Sequence, residues 1–202
     1  MNGNASDYIT RRTLISGIGG AIAALAMDPS KAAAVPDDRQ QPGNPFIVLL
    51  KGIYAPVLAG QGPGDNLGLS SVNLSDGSYA RNHIYPIFGI ADSKKQDRPI
   101  GTFYVQFAGD LCAYDLPGGS LAMQFAPVPA GAPPGFNGFV PHPDGAGGAY
   151  LEATFELAII EATGIFSAFQ GGHNHMVDRL HQLATGAFDE FCFCNISQYQ
   201  FP

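Results

Sequence analysis

From position 46 onward the chain is a succession of short apolar or alternating runs, each ended by turn residues. Eight are legible: 46–57, 67–74, 79–90, 101–115, 120–127, 149–161, 164–177 and 187–200. Alternation with a period of two is the pattern of a half-buried strand, and runs this short leave little room for crossover helices. The breaks are chemically suited to turning: 60–64, Asp76-Gly77-Ser78, 92–99, Pro117-Gly118-Gly119 and Thr163-Gly164 supply glycine's freedom at positive φ or proline's fixed φ. Most neighbouring runs are therefore expected to pair as antiparallel hairpins, giving an all-β fold. One stretch departs from the pattern. In residues 176–184, Val177, Leu180, Leu183 and Ala184 recur at helical spacing and predict one short helix near the C-terminus.

Composition limits the partners. Hydrophobic residues make up 46% of the 202 and the mean hydropathy is +0.05, which excludes the polar, highly charged class of disordered chains. Only 13% are charged, against about 25% in an average soluble domain. With ten basic residues scattered along a chain of pI near 5.0, there is no basic footprint for nucleic acid and no polybasic segment for a membrane surface.

The N-terminus resembles a twin-arginine export signal. Arg11-Arg12 follow Thr10 and precede Leu14-Ile15, a weakly hydrophobic Gly/Ala-rich run extends to Met27, and Ala32-Ala33-Ala34 offers a cleavage site. The apolar run is too short for a comfortable membrane span, which needs about 20 residues. The expectation is a signal over 1–34, an exposed Pro/Gln/Asp/Gly leader over 35–45, and a single domain over 46–202, exported to the periplasm or beyond with no stable membrane anchor after cleavage. Cleavage after Ala34 leaves 168 residues with net charge -8. The odd cysteine count, Cys112, Cys192 and Cys194, does not make a disulfide framework.

Residues 127–148 hold six prolines and six glycines, too many for regular structure. A segment of this length reads either as a lid or binding loop, or as a surface insertion without function.

The densest chemistry lies at 171–181. His173 and His175 are two apart, so on a strand both imidazoles leave the same face and could share a metal, with a third ligand from Asp178, His181, His142, His83 or a cysteine. The alternatives are hydrogen bonding by Asn174 and the two histidines at a barrel end, and acid–base chemistry by His173 or His175. Cys192 and Cys194 share a face opposite Phe191 and Phe193, as small core filler or as soft ligands. On one face of the run 101–115 stand Tyr104, Gln106, Asp110, Cys112 and Tyr114, and on one face of 149–161 stand Glu152, Thr154 and Glu156. Inward, Asp110 and Glu156 are pocket carboxylates; outward, they are a solvated face. There is no nucleophile elbow, phosphate-binding loop or dinucleotide fingerprint.

The run Gly101-Thr102-Phe103-Tyr104-Val105-Gln106-Phe107, the turn Gly119-Ser120-Leu121 and above all Ala162-Thr163-Gly164-Ile165-Phe166 leading to Gly171-Gly172 resemble the allene oxide cyclase and dirigent barrel superfamily. The resemblance implies an eight-stranded antiparallel up-and-down barrel, calycin-like, with an interior for one small apolar ligand. It further implies a cyclase or isomerase that needs no cofactor and acts by confining a lipid-, polyene- or phenolic-derived substrate. A dirigent- or lipocalin-like binding protein without turnover, and a transition-metal site on His173 and His175, are the other expectations. Under these readings the catalytic candidates are His173, His175, Asp110 and Glu156. The ligand-binding candidates are Tyr104, Gln106, Tyr114, Phe169 and Asn174, and self-association into a homo-oligomer is left open.

Overall fold

A computed structural model of the chain describes residues 44–90, 97–106, 108 and 110–199. The expected signal over 1–34, with its twin arginines, and nearly all of the leader lie outside the described residues. Nine strands form one antiparallel sheet: β1 Phe46–Pro56, β2 Ala80–Phe88, β3 Gly101–Gln106, β4 Leu111–Leu116, β5 Gly119–Phe125, β6 Val140–Pro143, β7 Ala149–Ala162, β8 His173–Gln182 and β9 Phe188–Ser197. Pairing of β1 with β9 and of β5 with β7 closes eight of them into a barrel, with β6 placed beyond β5 on the same edge of β7. Among the described residues only two short 3-10 turns, Gly64–Leu67 and Gly164–Phe169, are helical, and no helix is long and apolar enough to cross a membrane.

Alternation decides which side chains face in. Along β9, Phe188, Glu190, Cys192, Cys194 and Ile196 are buried, whereas Phe191 and Phe193 point outward and are 45% and 44% exposed. The middle of the lumen thus receives the smaller side chain of each pair. It is filled by Leu50, Ile84, Phe103, Tyr114, Leu121, Met123, Leu157 and Met176, all essentially inaccessible.

Several expectations are corrected. The predicted helix over 176–184 is instead most of β8, in which Asn174, Met176, Asp178 and Leu180 alternate inward against His175, Val177 and Arg179. A buried aspartate in the strand phase hid the period of two, and Val177 and Leu180 only mimicked the helical one. The single run 101–115 is a hairpin, β3 and β4, paired from Thr102 with Asp115 to Gln106 with Leu111. Asp110, at φ 55°, lies in its turn. The turn resets the phase: Phe103, Val105, Cys112 and Tyr114 face in, Tyr104 and Ala113 out. Finally, the proline-rich segment is not wholly irregular, since it contains β6 and bonds to β7 through Thr154.

The run 67–74 is not a strand either, nor is 164–169, the first part of the run 164–177, whose last five residues begin β8. The first belongs to an excursion over 57–79 whose Val57, Leu67, Leu69, Leu74 and Tyr79 pack on the outward Tyr104, Ala113 and Ala122. That is why β3, β4 and β5 are buried on both faces. The second is the 3-10 turn that plugs one end of the barrel, with Phe166 and Phe169 against Phe46 at ring-centroid distances of 5.5 and 5.3 Å. Thr163 and Gly164 make that plug possible. The Thr163 hydroxyl accepts from the Ser120 N–H at 2.9 Å, and Gly164, at φ 59°, sits so close to Gly118 that a Cβ would be 1.9 Å from its carbonyl oxygen.

Candidate functional site

At the end opposite the plug, the apolar lumen contains a polar cluster. Glu190, 2% exposed, accepts a hydrogen bond from the Tyr54 hydroxyl at 2.7 Å and one from the Asn82 amide at 2.8 Å. Asn82 also donates to the Gly52 carbonyl at 3.0 Å and accepts from the His83 N–H, so its rotamer is fixed. Gly52 adopts φ 122° beside a register shift in β1, and a Cβ there would stand 3.1 Å from the Asn82 Oδ1. The irregularity in β1 is what lets Asn82 reach Glu190.

Asp178 joins from β8. It is 6% exposed, and its Oδ1 has no hydrogen-bond partner. It lies directly opposite Cys192 in the β8–β9 register, and Glu190 lies two residues back on the same face as Cys192. Burial raises the pKa of Glu190 from 4.5 to about 7, against the lowering effect of its Tyr54 and Asn82 hydrogen bonds. Burial, and then the nearby Glu190 charge, push Asp178 well above the usual carboxylate range. Desolvation likewise raises the Tyr54 hydroxyl and the Cys192 thiol, because an apolar lumen disfavours every anion in it.

Phe103, Val105, Phe125, Phe139, Phe155 and Met176 complete the walls around a small void bounded by Tyr54, Asp178 and Glu190. The space open to the centre of a water molecule is about 20 Å³, enough for one water, whose threshold is about 10–15 Å³, and far below a ligand pocket of about 300 Å³ or more. Phe139 is one of its walls and is itself buried. It is carried by the proline-rich strap and packs edge-on against Phe155 at 5.2 Å. Asn137 pins the strap, its amide donating to the Ala126 carbonyl at 2.9 Å and its Oδ1 accepting from the Glu156 N–H at 2.8 Å.

The structure separates the residues singled out from sequence. Tyr114 and Asn174 face the lumen, where the Asn174 amide donates to the Tyr114 hydroxyl at 3.0 Å. Phe169 belongs to the plug. Tyr104 faces outward under the excursion, and Gln106 donates to the Ser78 hydroxyl at 2.6 Å outside the barrel. His173, His175 and Glu156 all lie on the outer wall. His173 bonds to the Tyr199 carbonyl, and His175 pairs with Glu156 directly across from it. Asp110 is exposed in its turn, away from both histidines. The two histidines do share a face, yet the only group of three His, Cys, Asp or Glu donors close enough to share an ion, among the described residues, is Asp178, Glu190 and Cys192.

Sequence reasoning passed over Tyr54, Asn82 and Glu190. The available signal was phase: Glu190 falls in step with Phe188, Cys192 and Cys194, and Asn82 in step with Ala80 and Ile84. A polar residue in the apolar phase of a strand is a buried polar residue. Comparison with known families, curated proteins and solved structures finds no match to this chain.

Proposed function

We propose that the barrel binds one small, largely apolar molecule bearing a hydrogen-bonding oxygen, and that it directs an isomerisation or cyclisation of allene oxide cyclase type by confining the molecule's shape. The observation that carries this reading is the Tyr54–Glu190–Asn82 cluster, with Asp178, at one end of an otherwise apolar lumen. Aromatic walls supply shape, and a fixed hydroxyl and amide supply oriented dipoles, which is the equipment of catalysis by positioning. Because the void holds only about one water, uptake requires its walls to part, and we take the strap that carries Phe139 as the element that moves.

Incubation with a conjugated polyene or an unsaturated epoxide tests this. The expected result is saturable binding that tightens or accelerates in Phe139→Ala, and a product stereochemistry that changes in Tyr54→Phe. Binding with no product at any substrate would leave the carrier reading, a dirigent- or lipocalin-like protein without turnover. That second reading is favoured by the placement of His173, His175, Asp110 and Glu156 outside the lumen. Absence of binding even in Phe139→Ala would overturn both.

We further propose export by the twin-arginine route, on the strength of Arg11-Arg12 and the Ala32-Ala33-Ala34 site. Replacing both arginines by lysine is expected to retain the protein in the cytoplasm, read by fractionation.

A further inference from the structure

We propose that Asp178, Glu190 and Cys192 form a site for one divalent transition-metal ion inside the barrel. The donor atoms of these three residues all lie within 4.8 Å of one another, close enough to be bridged by a single ion. The arrangement follows from the sheet: Asp178 and Cys192 are a directly opposed cross-strand pair, and Glu190 is the next inward residue of β9. A cluster of acids alone would mean little. Here the Asp178 Oδ1 is buried with no partner, beside the void that Asp178 and Glu190 border. A lone pair left without a donor in an apolar interior is costly, so this one asks for an electrophile.

The outer shell fits the same reading. Glu190 accepts from Tyr54 and Asn82 and retains lone pairs, and outer-sphere donors of this kind orient metal-binding carboxylates. No lysine or arginine is among the buried described residues, so no side-chain cation neutralises the two carboxyls. One thiolate with two carboxylates is a donor set for zinc, cobalt or iron(II) and a poor one for magnesium or calcium, which prefer oxygen alone. The void has room for one water as a fourth ligand, leaving the open position typical of a working rather than a sealed site. The ion would share Asp178 and Glu190 with the cluster behind the apolar-ligand reading, but metal titration without any apolar ligand reads the ion alone, so failure of one proposal is distinguishable from failure of the other.

The test is titration of the full chain with cobalt(II) and with zinc, offered both to the folded protein and during refolding because the site is buried. About one equivalent is expected, with a near-ultraviolet thiolate-to-cobalt charge-transfer band and a rise in Tm. Cys192→Ser should abolish the band, and the isosteric Asp178→Asn, checked for folding by circular dichroism, should weaken affinity at least tenfold. His173→Ala and His175→Ala should change neither. Less than a tenth of an equivalent under both loading conditions would overturn the proposal, as would a band that survives Cys192→Ser or is lost with the histidines.

Discussion

Asn82 shows how much one side chain decides at this end of the barrel. It satisfies a backbone carbonyl, a backbone N–H and a buried carboxyl at once. Truncation in Asn82→Ala leaves the Gly52 carbonyl and the Glu190 Oε2 without a donor and is expected to cost about 2–4 kcal/mol, read by denaturant unfolding. Gly52→Ala should cost at least about 1 kcal/mol, since its positive φ strains any Cβ that also approaches Asn82. At this scale the sequence was partly legible. Cys192 and Cys194 share an inward face, as spacing required, although their sulfurs lean together to 3.7 Å. The polar cluster escaped because its members come from β1, β2, β8 and β9, and only closure brings them together.

One element plugs an end of the barrel and another covers its outer wall, and they differ in how they are fastened. The plug drives Phe166 and Phe169 into the Phe46 end, and Phe166→Ala is expected to cost about 3–5 kcal/mol, measured as a lowered denaturation midpoint. The excursion over 57–79 is held to β7 by Glu161, whose carboxylate accepts from the N–H groups of Ser70 at 2.9 Å and Ser71 at 2.8 Å. Partial burial would raise the Glu161 pKa, but these donors overcome it and leave it below 4.5. The sign follows. A depressed folded-state pKa stabilises above the ordinary value and loses that contribution as pH falls through the folded value. Limited proteolysis within 57–79 should therefore quicken below pH 4.5, and Glu161→Gln should be cut quickly at neutral pH without further acid dependence. Element boundaries were the least legible level. Helical spacing in 176–184 and strand spacing in 67–74 were both real, and tertiary context overrode each: β8 completes a sheet, and 67–74 covers the outside of one.

At the level of the whole molecule the antiparallel all-β class was legible because period-two runs and turn residues recur along most of the chain, whereas closure into an eight-stranded barrel was implied only by the resemblance. The number eight holds because one expected run, 67–74, is not a strand while 101–115 supplies two, and 164–177 contributes only the start of β8. Closure joins the first strand to the last through eight paired positions from Phe46 with Ile196 to Ile53 with Asp189. No part of the wall can leave without opening the rest. Chains ending before Phe188 are expected to show no cooperative unfolding transition, and in the intact protein tyrosine fluorescence and circular dichroism should report coincident transitions.

The fastening of the two ends has a kinetic meaning. The plug is hydrogen-bonded at both borders, through Thr163 to Ser120 and through Gly171 and Gly172 to Ile159, so it cannot swing without unzipping β7. The strap is likewise tied to β7 at both borders, through Ala126 to Glu156 and through β6, with Asn137 and Thr154 between, and it lays the Phe139 ring over its end. On the proposed reading, a strap that carried Phe139 aside would be a door used in both directions. A change that alters only how often that door opens multiplies arrival and departure by the same factor, so residence time lengthens or shortens while the equilibrium constant stays where it was.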